Sequence, residues 1–154
     1  MTMIEIGNKA PDFSALADDG TVLSLKDFKG KSFVLYFYPK DDTSGCTKEA
    51  CSFTDHISAF NKLDVPVIGV SKDSIEKHKK FKEKYGLKFP LLSDEDGKLC
   101  EAYGTWIEKS MYGRKYMGID RATFIIDGSG KISSIWRKVK VPGHVEEILK
   151  ALST

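Results

Sequence analysis

Ser32-Phe33-Val34-Leu35-Tyr36-Phe37-Tyr38-Pro39 is the stretch on which the fold turns. Six apolar and aromatic residues run without polar alternation, so the segment reads as a strand buried on both faces and stopped by Pro39. The loop Lys40-Asp41-Asp42-Thr43-Ser44-Gly45 follows and carries several candidate helix caps. From about Gly45 to Lys62 the apolar positions are Cys46, Ala50, Phe53, Ile57 and Phe60. That spacing marks one face of a helix.

Working outward, Val65-Pro66-Val67-Ile68-Gly69-Val70 predicts a second buried strand. Ser74 to Tyr85 predicts a charged amphipathic helix with Ile75, His78, Phe81 and Tyr85 on one face and Gly86 as its stop. Phe89-Pro90-Leu91-Leu92 is a short apolar element, and Asp94 to Tyr103 predicts a short helix ended by Gly104. Ala122–Ile126 and Lys131–Arg137 flank Asp127-Gly128-Ser129-Gly130, a hairpin signal. A last helix follows Pro142, with Val145, Ile148, Leu149 and Leu152 as its stripe, and residues 7–30 read as a polar lead-in with a turn at Asp18-Asp19-Gly20. Two buried strands joined by helices imply a parallel core, to which the hairpin adds an antiparallel edge. The expected fold is α/β, a thioredoxin-like arrangement with a mixed central sheet and helices on both faces.

The 154 residues suit one domain, read as 1–154 with no repeat or linker. Charge is nearly balanced, 24 Lys plus Arg against 22 Asp plus Glu, which argues against a nucleic-acid binder. No apolar run approaches the roughly 18–20 residues of a membrane span, and Met1–Ile6 lacks the basic-then-apolar pattern of a signal peptide. A cytoplasmic location is expected.

Cys46, Cys51 and Cys100 are the cysteines, an odd number in a domain too large to need disulfide staples. Packing, metal binding and thiol chemistry remain as readings. His56, His78 and His144 are scattered and no Cys-x2-Cys occurs, so no metal is expected. Cys46 falls in the first turn of its helix, where unpartnered N–H groups and the helix dipole favour an anion. An ordinary thiol is only about 3% ionised at pH 7, and a helix end supplies at most about 2 kcal/mol toward changing that. A second source of positive charge or hydrogen bonding is needed. Thr43 offers a hydroxyl. Arginine is scarce, three residues against 21 lysines, and Arg121 directly precedes the strand Ala122–Ile126. If that strand neighbours Phe33–Phe37, Arg121 reaches the Cys46 end of the sheet; otherwise it is a surface arginine paired with a carboxylate. Cys51 is five residues beyond Cys46, about 8–9 Å away on an intact helix, against the roughly 7 Å limit for a disulfide. The two are either unrelated helix cysteines or a pair that reacts only when the first turns unwind.

Pro39-x3-Thr43-x2-Cys46 after a hydrophobic strand, with Cys-x4-Cys, resembles the peroxiredoxins, specifically the bacterioferritin-comigratory-protein (PrxQ) type. The resemblance extends over nearly the whole chain, through Gly7-x3-Pro11-x-Phe13, Leu92-Ser93-Asp94, Trp106-Ile107-Glu108-Lys109, Tyr112-Gly113 and Arg121-x-Thr123-Phe124-Ile125-Ile126-Asp127. Ser44 departs from it, standing where the family often has proline. The resemblance implies an antioxidant thiol peroxidase that serves cell redox homeostasis and needs no cofactor. Cys46 would be the peroxidatic nucleophile and Cys51 the resolving cysteine, forming an intramolecular disulfide. Thr43 and Arg121 would stabilise thiolate and peroxide, and Pro39 would shield the pocket. Hydrogen peroxide and organic hydroperoxides would be substrates, thioredoxin (or glutaredoxin) the reductant, and the chain a monomer. A redox-regulated binding protein of the same fold and a structural zinc protein are the alternatives.

Cys100 reads as a buried packing thiol, and the three histidines as surface or edge residues. Trp106, Tyr112 and Tyr116 are candidates either for a peroxide entrance or for ordinary packing. Lys72, Lys77, Lys79, Lys80, Lys82 and Lys84 read as a solvated helix face.

Overall fold

A computed structural model describes residues 4–153. Met1–Met3, part of the segment searched above for a leader, and Thr154 lie outside them. The lead-in folds as a hairpin of β1 (Ser14–Ala17) and β2 (Val22–Ser24) and one 3-10 turn. Then come β3 (Phe33–Phe37), α1 (Ser44–Asp55), α2 (Ile57–Lys62), β4 (Val67–Ser71), α3 (Ile75–Tyr85), β5 (Leu91–Ser93) and α4 (Lys98–Ala102). The chain continues with β6 (Trp106–Met111), β7 (Arg114–Ile119), β8 (Ala122–Ile126), β9 (Ile132–Trp136) and α5 (His144–Leu152).

Seven strands form a mixed sheet in the order β2-β1-β5-β4-β3-β8-β9. β3, β4 and β5 are parallel, while β8 and β9 add the antiparallel side expected of the hairpin. Every residue of β3, β4 and β8 is buried, which explains why their sequences lack alternation. One face packs Val34, Tyr36, Tyr38 and Ile125 against Ala50 and Phe53 of α1, Phe60 of α2, Phe81 of α3 and Ile148 of α5. The other packs Phe33, Leu35, Phe37 and Phe124 against Leu99, Cys100 and Tyr103 around α4.

Four expectations change. The helix over 45–62 is two helices broken at His56, whose backbone at φ −102°, ψ 7° leaves the helical region while its N–H still donates to Ser52 O and Phe53 O at 3.2 Å, so it closes α1 and starts α2. The helix over 94–103 shrinks to α4, because the Asp94 carboxylate accepts from Leu99 N and Cys100 N and holds 94–97 as a turn. A hairpin, β6–β7, occupies 106–119; its turn Tyr112-Gly113 has φ of 51° and 77°, the left-handed pair of a tight two-residue loop. Its residues are mostly exposed or half-buried, so no hydrophobic alternation announced it. Finally, His78 and His144 are not surface residues: they are 0% and 3% exposed, held by polar partners that lie far away in sequence.

Candidate active site

β3 ends at Phe37, and the register Phe37↔Ala122 sets the start of β8 beside it. Arg121, one residue before β8, therefore stands at the end of the sheet from which the loop to α1 departs. Thr43 is the N-cap of α1 and Cys46 lies in its first turn, buried at 1% exposure. Arg121 Nη2 donates to Cys46 Sγ at 3.4 Å. The same arginine also pairs with a carboxylate, Nη1 donating to Glu49 Oε1 at 2.7 Å, but the pair is largely buried rather than on the surface.

Glu49 was missed in the sequence. It sits one turn after Cys46 on the inner face of α1, and its other oxygen, Oε2, has no hydrogen-bond partner among the described residues. Burial pushes its carboxyl up to about 7, against the pull of Arg121. Arg121 itself is raised: burial lowers it, and Glu49 with Cys46 more than offsets that. Gly45 completes the fit. A Cβ there would lie 3.0 Å from Arg121 Nη2, so glycine leaves room for the guanidinium to reach the thiol.

The N-terminus of α1 has no side-chain cap bond and no acidic residue in its first turn. Its N–H groups thus remain free for an anion beside Cys46. The Thr43 hydroxyl donates to Lys40 O at 2.8 Å, turned along the loop rather than onto the sulfur. Pro39 is half-buried directly after Tyr38. Cys51 is half-buried further along the same unbroken helix, with its thiol raised by burial and then by Asp55. Cys100 is fully buried on the opposite face of the sheet, its thiol pushed far up by burial and by Asp94. Lys109 of β6 feels Asp120, Arg121 and Cys46, and its ammonium is lowered, first by burial. Trp106 is half-buried under Lys72 Nζ at 4.0 Å, whereas Tyr112 is 99% exposed at the hairpin turn.

Residues 6–135 match the model of the AhpC/TSA family. Peroxiredoxin Bcp of Bacillus subtilis is 55% identical over 149 residues, 97% of this chain and 95% of the relative. The chain is a peroxiredoxin of the Bcp/PrxQ type. Peroxiredoxin Bcp of Escherichia coli K12 is 43% identical over 152 residues, 99% of this chain and 97% of the relative. Solved PrxQ from Xylella fastidiosa superposes with a TM-score of 0.94 at 38% identity, covering 99% of this chain and 98% of that one. Peroxiredoxin Q of Xanthomonas campestris gives 0.90 at 41% identity, with 97% and 95% covered. This peroxiredoxin is accordingly a thiol peroxidase with a thioredoxin-like fold.

Proposed function

We propose that this single-domain peroxiredoxin reduces hydrogen peroxide and organic hydroperoxides through Cys46 and Cys51, and that a thioredoxin-type dithiol, or glutaredoxin, restores both thiols in the cytoplasm. The observation that carries the reading is a buried thiol in the first turn of a helix, with an arginine fork 3.4 Å from its sulfur. A bacterioferritin comigratory protein of Xanthomonas campestris, 39% identical, was solved in connection with alkyl peroxide reduction, which supports the substrate class.

The Cys46 thiolate attacks the terminal peroxide oxygen. The O–O bond breaks, the departing oxygen takes a proton to leave as water or alcohol, and sulfur keeps the other oxygen as sulfenic acid. Arg121 is permanently charged and faces the sulfur, so it stabilises the thiolate and the charge that develops on the leaving oxygen. Glu49 holds the fork in place, and free N–H groups of the α1 N-terminus add donors. Pro39 shields one side of the pocket. Thr43 contributes to peroxide once its hydroxyl turns away from Lys40 O.

Resolution needs motion. Cys46 and Cys51 lie on one intact helix, about 8–9 Å apart, so the first turns of α1 unwind before the Cys51 thiolate can attack Cys46 sulfur and expel water. Unwinding also relieves the burial that raises the Cys51 thiol. The dithiol reductant then supplies two electrons and two protons to the disulfide. No metal, flavin or haem enters the scheme, and the intramolecular bond lets a monomer complete the cycle.

The test is one equivalent of hydrogen peroxide on the reduced protein at neutral pH, followed by intact mass and peptide mapping. We expect a loss of two daltons within seconds, mapped to Cys46 and Cys51. In Cys51→Ser the sulfenic acid should persist and oxidise further with excess peroxide. A Cys46 unchanged after an hour would defeat the reading.

A further inference from the structure

A second polar cluster lies outside the thiol site, buried beneath the loop that leads to it. Asp41 sits midway between Pro39 and Thr43 and is 8% exposed. Each of its polar side-chain atoms is engaged: Tyr38 OH donates to Oδ1 at 2.6 Å, and His78 Nδ1 lies 2.7 Å from Oδ2. Its backbone N–H donates to Asp73 Oδ2 at 2.8 Å, and the same oxygen accepts from Ser71 Oγ at 2.7 Å. The other nitrogen of His78, Nε2, lies 2.9 Å from Leu92 O.

Both partners of the His78 ring, a carboxylate and a carbonyl oxygen, only accept hydrogen bonds. With Asp41 ionised, the two bonds coexist when both ring nitrogens carry protons. We propose that His78 is a positioning residue for the peroxidatic loop: as an imidazolium paired with Asp41 it ties residues 39–43, and through them the first turn of α1, to α3 and β5. This rests on the reading of Cys46 as the peroxidatic nucleophile.

The mechanical path is short. Asp41 is two residues from Thr43, the N-cap of α1, whose carbonyl accepts from Thr47 N at 2.8 Å. Asp42 between them stands at φ 56° and is held from the same helix, accepting from Tyr85 OH at 2.6 Å and Lys84 Nζ at 2.9 Å. Thus α3 grips two consecutive loop residues from one face. A neutral His78 would set a ring lone pair against either Asp41 or Leu92 O, and the grip would loosen on the Asp41 side or the β5 side.

Groups facing His78 come from every neighbouring element. Asp41 and Asp73 are the anions beside the ring, and Asp42 adds a third in the cavity lining above it. Tyr38, whose ring lies 6.5 Å away, has a phenol raised far above the ordinary value by burial, so it stays neutral and donates to Asp41. Lys40, Lys77, Lys80 and Lys84 line a cavity of about 350 Å³ over the cluster and oppose a further positive charge. Burial also disfavours the imidazolium, yet the hydrogen bond and charge of Asp41 outweigh it and His78 is raised above its ordinary value. A raised histidine contributes fully below the unfolded value of about 6.5 and loses its contribution as pH climbs through the folded one. The loop should therefore slacken on the alkaline side. The Asp41, Asp73 and His78 ligand atoms also lie within 4.8 Å of one another, the span of a metal site, and the imidazolium assignment excludes a metal there.

The test joins nitrogen NMR of the histidine rings with rapid-mixing kinetics on the full chain. In reduced protein at pH 7 both His78 nitrogens should be protonated, and Asp41→Asn should release one of the protons. His78→Gln and Asp41→Asn should each slow oxidation of Cys46 by peroxide about tenfold or more, by displacing the loop. The double variant should be no slower than the worse single one. In the wild type the rate should decline as His78 loses its proton at high pH, and that decline should vanish in His78→Gln. A neutral ring at pH 7, stoichiometric metal retained on purification, or unchanged rates in both variants would each overturn the proposal. Should His78→Gln fail to fold, the ring NMR and Asp41→Asn still decide. Failure of the underlying reading is seen separately, as peroxide consumption undiminished in Cys46→Ser.

Discussion

Arg121 serves two partners with one fork, and this sets what substitutions there and nearby should do. Losing it removes the charge at Cys46 and leaves Glu49, a fully buried carboxylate, without its cation. Arg121→Ala should slow peroxide reduction by about two to three orders of magnitude, in line with loss of a transition-state donor, and rapid-mixing fluorescence of Trp106 and Trp136 would measure it. Gly45→Ala is the subtler probe. The added Cβ would meet Arg121 Nη2 at 3.0 Å, a contact with the far end of a side chain rather than with backbone. The fold should survive with a melting temperature near that of the wild type. The rate constant with peroxide should fall about tenfold, because a small misplacement of a catalytic group is costly. A wild-type rate in Gly45→Ala would mean that the guanidinium position does not matter.

Helix α1 combines two demands that pull against each other. In the proposed cycle its N-terminus stays formed while the Cys46 thiol meets peroxide and opens for Cys51 to reach it. The missing side-chain cap serves both, since an uncapped end leaves N–H groups free for an anion and forfeits about 1 kcal/mol of helix stability. Downstream, Phe53 is stacked on Tyr36 at 4.5 Å and anchors the helix beyond Cys51. Ser52, half-buried between them, has only moderate helix propensity. Ser52→Ala should stabilise the closed helix by about 0.5 kcal/mol and slow disulfide formation about twofold while oxidation of Cys46 is unchanged. Separate timing of the sulfenic and disulfide steps in one kinetic trace checks this. An equal effect on both steps would show that unwinding does not limit resolution.

Across the whole molecule, a second buried histidine is shifted in the opposite direction to His78. His144 begins α5, with Nε2 2.7 Å from Thr123 Oγ1 and its ring edge-on to Trp136. Burial and then the nearby Arg121 lower it to about 4. Unfolded, it titrates near 6.5. Between those values the unfolded chain binds more protons, so stability is lost as pH falls from about 6.5 to about 4, by up to about 3 kcal/mol. Urea unfolding across that range should show the loss, and His144→Gln should flatten it. An acid limb unchanged in the variant would assign the loss to other groups.

How much of this was legible in the sequence depends on the range of the interaction. Cys46 in a helical first turn and the parallel core followed from local patterns, because strand burial and helix periodicity are written in neighbouring residues, whereas the place of Arg121 stayed open until β8 was seen to pair with β3. Cys100 as a packing thiol did too. The β6–β7 hairpin escaped because a ribbon with two exposed faces needs no apolar alternation. Glu49, His78 and His144 escaped for a deeper reason. Each is a polar side chain for which solvent is the ordinary expectation, even His78 on the apolar face of its helix, and each is tolerated inside because partners 72, 37 and 21 residues away supply its hydrogen bonds. Local sequence determined most of the elements and placed Cys46, the proposed reactive thiol, in the first turn of a helix. Tertiary structure alone decided which charges meet around it, because a buried polar group is tolerated only when a partner, often distant in the chain, arrives to satisfy it.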